Sequence, residues 1–90
     1  MHMEIEWDSD EADSNLKKHG VSFEEAATAL LDPIALAQED AAPKGEARWV
    51  LIGMSARLRL LTVVYTLRRQ DRVRLISARR ATRKEAKHYA

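Results

Sequence analysis

Polar and apolar positions change their spacing several times along the chain, and each change marks an element. Ile5 and Trp7 alternate with Glu4 and Glu6, the period-two pattern of a short strand over Met3–Trp7. Asp8, with Glu11 three residues on, starts a helix that runs through Ala12 and Leu16 to Lys18-His19, where Gly20 supplies a left-handed stop. Ser22 and Glu25 make a second capping-box pattern. The helix behind it carries Phe23, Ala26, Ala27, Leu30 and Leu31 and ends before Asp32-Pro33. Ile34–Ala37 reads as a short strand, and Gln38–Glu46, with Pro43 and Gly45, as a loop. Three strand-like runs follow, Arg48–Ser55, Arg59–Arg68 and Arg72–Arg79, joined by connections short enough for hairpins. Thr82 and Glu85 give the pattern T-x-x-E at the start of a closing helix, Arg83–Tyr89.

The order β-α-α-β-β-β-β-α predicts an α+β domain. Its hairpin-linked strands make an antiparallel sheet, with helices on one face and the other left to solvent or a ligand. Ninety residues make one domain, 1–90, with one modest core; Met1-His2 reads as a cloning remnant before a native start at Met3. No run approaches the roughly 20 apolar residues of a membrane span, and no N-terminal segment has the pattern of a secretion signal. The absence of cysteine removes a disulfide framework and a thiolate metal site. No His/Cys/Asp cluster has metal-ligand spacing, and the three glycines are separate, so no Gly-rich phosphate loop exists. These features predict a cytoplasmic protein with no metal and no cofactor.

The net charge of +1 conceals a division. Residues 1–45 hold eleven acidic and three basic side chains, whereas residues 46–90 hold twelve basic and three acidic. A basic half dominated by arginine suits phosphate; a solvated charged surface, with the halves folding against each other, is the competing reading. The strand Arg72–Arg79 delivers Arg79-Arg80 to a helix start, where unpaired N–H groups add a second attraction for phosphate. The partner expected on these grounds is a polyanion.

The same residues resemble the BrnT toxin family. The resemblance is carried by Ile5-Glu6-Trp7-Asp8, Lys18-His19-Gly20-Val21-Ser22-Phe23-Glu24-Glu25-Ala26, Asp32-Pro33, Gly45-Glu46-Ala47-Arg48-Trp49 and Ile76-Ser77-Ala78-Arg79-Arg80-Ala81-Thr82. It spans nearly the whole chain, with the blocks in order. It implies a compact RelE-like fold and a ribonuclease toxin of a type II toxin–antitoxin pair. It also implies a BrnA-type antitoxin that neutralises the toxin and supplies the DNA-binding part, so that DNA is met only through the complex, which represses its own operon. A dimer or a toxin–antitoxin hetero-oligomer is compatible with this. Two departures stand out: Leu67 follows Tyr65-Thr66 where many relatives carry an acid, and Asp40–Lys44 lacks a histidine often found there.

Metal-independent RNA cleavage uses the neighbouring 2′-OH as nucleophile, so the enzyme must stabilise a crowded phosphate and move protons. Arginine suits the phosphate role because its planar fork binds two oxygens. Arg79 is the first catalytic candidate, favoured by the family motif. Strand parity groups it with Val73, Leu75 and Ser77, and sends Arg74, Ile76, Ala78 and Arg80 the other way. Its structural alternative is a pairing with an N-terminal carboxylate that locks the sheet. Arg59, Tyr65 and His19 are the further catalytic candidates, against hairpin guarding, half-burial in a strand and helix C-capping respectively. Arg57, Arg68, Arg74, Arg80 and Lys18 are candidates for RNA phosphate. Glu25 is accounted for by its capping box, His88 as incidental, and Trp7 and Trp49 by core packing. Leu67 motivates an alternative function, a catalytically inactive subunit that binds an antitoxin and takes part in operon repression. A plain nucleic-acid-binding protein is the other.

Overall fold

The structure, a computed structural model, describes residues 3–40, 47–69 and 71–89. The element order is β1 (Glu4–Glu6), α1 (Ser9–His19), α2 (Phe23–Ala29), β2 (Leu36–Asp40), β3 (Arg48–Met54), β4 (Leu60–Arg69), β5 (Arg72–Arg80) and α3 (Arg83–Ala86), the order expected. Among the described residues five strands form one sheet in the order β1-β5-β4-β3-β2. β2 through β5 pair antiparallel, and β1 joins β5 in parallel, with Ile5 opposite Val73. The strand expected at Ile34–Ala37 instead begins at Leu36 and takes in Gln38–Asp40, because these residues pair with Val50, Trp49 and Arg48 of β3. The rest of the expected loop and the suggested remnant Met1-His2 lie outside the described residues. The closing helix is regular only to Ala86.

One sheet face meets α1 and α2. Val21, Phe23, Ala26 and Ala29 pack there against Leu51, Leu61, Val63, Leu75 and Ala78, and Trp7 meets Phe23 edge-on with ring centroids 6.0 Å apart. The packing is close enough to require glycine at 53. A Cβ on Gly53 would lie 2.7 Å from the carbonyl oxygen of Ala29. Asp8 caps α1 through its carboxylate, and Gly20 ends it at φ 70°.

α1 also closes an open edge. β1 pairs only with the first part of β5, so Ala78 has β4 on one side and no strand on the other. Asn15 takes the strand's place. Its Nδ2 donates to the carbonyl of Ala78 at 2.8 Å, and its Oδ1 accepts from the Ala78 N–H at 3.1 Å. Nδ2 also donates to the carbonyl of Val21, so one buried amide ties helix, turn and sheet together.

A bulge in β5 overturns the simple alternation. Val64 pairs with Ser77 and Tyr65 with Leu75, which leaves Ile76 as the extra residue. Val73, Leu75, Ala78 and Arg80 therefore share the helix-covered side, while Arg74, Ser77 and Arg79 share the open one. Uninterrupted alternation would have placed Arg79 with the core residues Val73 and Leu75.

Candidate active site

Register arranges the open face in three rows across the sheet: Leu36–Ile52–Thr62–Arg79, Gln38–Val50–Val64–Ser77 and Asp40–Arg48–Thr66–Arg74. Arg79 ends the first row. Its Nη1 and Nη2 each donate to one oxygen of the Glu85 carboxylate at 2.8 Å, the bidentate fork that fixes a guanidinium most firmly. The expected partner was an N-terminal carboxylate; the observed one comes from α3. Glu85 in turn accepts from Thr62 Oγ1 at 2.9 Å and from the Thr82 N–H at 2.8 Å, and Thr82 caps the same helix. Arg79 beside it, helped by the Thr82 N–H and Thr62, holds the Glu85 carboxyl down to about 2.

The pairing does not exhaust Arg79. A guanidinium has five N–H groups. Two go to Glu85 and one to the Arg80 carbonyl at 3.3 Å. The Nε–H and the second Nη2 hydrogen carry no bond among the described residues, and the side chain is 40% exposed. Arg79 thus borders a trough of about 390 Å³ with Val50, Thr62 and Val64 at its base and Gln38 and Asp40 across it.

The other end of the open face is arginine-rich. Arg68, Arg69, Arg72 and Arg74 line one depression with Glu6. Arg72 bonds Glu4 at 3.0 Å, and Arg74 lies 3.7 Å from Glu6 and 3.8 Å from Glu11. Thr66, on the same face, is 2% exposed, and its hydroxyl is an unpartnered buried side-chain atom among the described residues.

The remaining candidates lie elsewhere. Arg59 is committed to Glu25, whose side chain is almost wholly buried; two donors reach the carboxylate, and a third reaches the Gly20 carbonyl. Glu25 is therefore more than a cap. Ser22 accepts from its N–H, but its carboxylate faces Arg59 and Ser55, and Arg59 beside it holds its pKa below the usual range. Arg57 stands 3.8 Å from the same carboxylate and is exposed. Tyr65 is a core residue on the helix-covered side, and burial pushes its phenol up. His19 and Lys18 line a shallow depression with Ser77 and Ile76 beside α1, apart from the trough. Arg80 points to the helix-covered side and is exposed. Among the described residues no group of three or more His, Asp or Glu side chains could hold a metal ion.

This fold and its arginine-bearing face have known counterparts. The family model described as "Ribonuclease toxin, BrnT, of type II toxin-antitoxin system" matches residues 7–85. The chain belongs to the BrnT family. The crystal structure of the Brucella abortus ribonuclease toxin BrnT superimposes with a TM-score of 0.66 at 25% identity, over 90% of this chain and 99% of that one. A search of curated protein sequences gives no match. The chain is accordingly a BrnT ribonuclease toxin of a type II toxin–antitoxin system, a class that works against an antitoxin partner.

For a BrnT toxin the site contains residues the sequence did not single out. Glu85 was explained by its capping box, yet one carboxylate both caps α3 and grips Arg79. Thr62 carries no signal beyond its alternation in β4. Gln38 and Asp40 were assigned to a loop, so the opposite wall of the trough was invisible. Among the described residues no helix is long and apolar enough to cross a membrane.

Proposed function

We propose that the open sheet face binds RNA and that the chain is an endoribonuclease cutting without metal. In this reading the 2′-OH gives its proton to water as O2′ bonds to the adjacent phosphorus, the P–O5′ bond breaks, and the departing 5′-oxygen takes a proton from water, so that a 2′,3′-cyclic phosphate and a 5′-hydroxyl result. Arg79 is the catalytic residue. Its two uncommitted N–H groups donate to the non-bridging oxygens as negative charge builds on them, while Glu85 keeps the guanidinium in place. Arg68 and Arg74, at the far end of the same face, hold neighbouring phosphates. The observation that carries the reading is Arg79 itself, clamped bidentately beside an open trough with donors to spare. A BrnA-type antitoxin would neutralise the chain by lying across this face, DNA would be met through that complex, and the setting would be the cytoplasm.

The test is incubation of the purified chain with single-stranded RNA in excess chelator, followed by end-group analysis. Cyclic phosphate ends support the proposal; intact RNA, or cleavage only after divalent metal is added, contradicts it. A second reading, an inactive antitoxin-binding subunit, is favoured by one observation. The titratable side chain bonded to Arg79 is Glu85, and a carboxyl held at about 2 is a weak base at neutral pH. That reading predicts antitoxin binding with RNA left intact.

A further inference from the structure

We infer that the trough beside Arg79 is a nucleobase subsite selective for guanine, with Asp40 and Gln38 of β2 as its specificity-determining residues. The inference rests on the reading of the open face as the RNA-binding face and deepens it.

The dimensions come first. β5 and β2 are separated by β4 and β3, so their backbones stand about 14 Å apart at the usual strand spacing. Arg79 reaches in from one side, and the remaining width suits a ribose and one base. The trough is open to solvent, and its volume of about 390 Å³ is at the small-molecule scale. Val50 and Val64, adjacent in the middle row, give the base an apolar floor.

Chemistry then divides the trough. A phosphate belongs beside Arg79, because the far wall carries the Asp40 carboxylate with Glu39 next to it. The base therefore points its edge at β2. Trp49 packs against the core and Tyr65 lies within it, so neither offers this face an aromatic platform. Aromatic stacking accepts every base; without it, discrimination falls to hydrogen bonding at the base edge. Neither Gln38 nor Asp40 makes a side-chain hydrogen bond or ion pair among the described residues, and both are exposed.

A carboxylate accepts only. Guanine presents N1–H and N2–H side by side, a match for both oxygens of Asp40, and its O6 accepts from the Gln38 amide. Adenine and cytosine offer one amino donor beside a ring acceptor. Uracil offers a single N–H between two carbonyls, which a carboxylate repels. The order expected is guanine first and uracil last.

The experiment titrates the 3′-monophosphates of guanosine, adenosine, cytidine and uridine, and inorganic phosphate, into the full chain, read by NMR shifts. The wild type should hold the guanine nucleotide about tenfold more tightly than the others. Asp40→Asn, an exposed substitution at a sheet edge, should bring the four together while leaving inorganic phosphate unchanged. Gln38→Ala should weaken the preference in part. Equal affinity for all four, or no binding, overturns the subsite. Mapping of cut sites on a randomised RNA separates the two proposals. Cleavage without base preference overturns the subsite and leaves the ribonuclease chemistry standing. Guanine-selective binding by a chain that cuts no RNA supports the subsite and overturns that chemistry.

Discussion

Replacing Glu85 by Gln tests the clamp on Arg79 and gives a signal with a defined pH dependence. The Glu85 carboxyl sits at about 2 in the folded chain against 4.5 for the free group. If neither group met water, that difference would be worth about 3 kcal/mol. Arg79 is 40% exposed and Glu85 25%, so solvent screening reduces the contribution to about 1–2 kcal/mol. The folded pKa lies below the unfolded one. The stabilisation is therefore fully present above pH 4.5 and is lost as pH falls through about 2. Glu85→Gln should cost about 1–2 kcal/mol at neutral pH and progressively less on acidification, as the wild type loses the same interaction. Urea unfolding of both proteins from neutral to strongly acidic pH measures this. Glu25 and Asp32 are also held low, by Arg59 and by Tyr89 respectively, so both proteins lose stability in acid, and the difference between the two curves isolates Glu85. A difference that stays constant with pH would refute the reasoning.

Other substitutions probe the frame around the site. Asn15→Ala strips partners from a buried N–H and two buried carbonyls and should destabilise by about 3–4 kcal/mol, read by urea unfolding; a loss under about 1 kcal/mol would mean that another group closes the β5 edge. Arg59→Ala takes the bidentate partner from the buried Glu25 carboxylate, leaving it Ser55 and the more distant Arg57, and should lower the melting temperature by several degrees, with any lost activity tracking the unfolded fraction; an activity loss in a fully folded variant would return Arg59 to the chemistry. Thr66→Val removes an unpartnered buried hydroxyl at constant shape and should stabilise by about 1 kcal/mol in the same unfolding assay; destabilisation would show that the hydroxyl holds a partner such as water.

Much of the fold was legible because it is written in local signals. Asp8, Gly20 and Thr82 fix helix ends through their own side chains or backbone, and the runs in β3, β4 and β5 show the alternation of a half-covered sheet. What escaped reading depends on partners distant in sequence. The parallel addition of β1 to β5 joins residues nearly seventy positions apart, and nothing within Glu4–Glu6 specifies that neighbour. β2 is exposed along its length, so its pattern carries no core signal, and only its pairing with β3 defines it. The bulge at Ile76 reverses the facing of every later residue in β5, and Ile76 itself is a good strand residue that gives no warning. Arg79 was singled out from its place at the end of a strand, but its facing and its partner follow from that bulge and from α3. The surroundings of Arg59 and Tyr65 were equally out of reach. Their residue types suit catalysis, while the surrounding structure commits one to a buried carboxylate and the other to the core.

The central claim is that Arg79 acts on the phosphate of RNA and is not merely a strut for α3. Single-turnover cleavage of single-stranded RNA by the wild type, Arg79→Lys and Arg79→Ala, each shown by melting to be folded at the assay temperature, tests it directly. The account predicts that Arg79→Ala stays folded and loses at least about a hundredfold in rate, and that Arg79→Lys recovers only part of it, because a single ammonium cannot reproduce the fork. A folded Arg79→Ala that cuts RNA at the wild-type rate would contradict it.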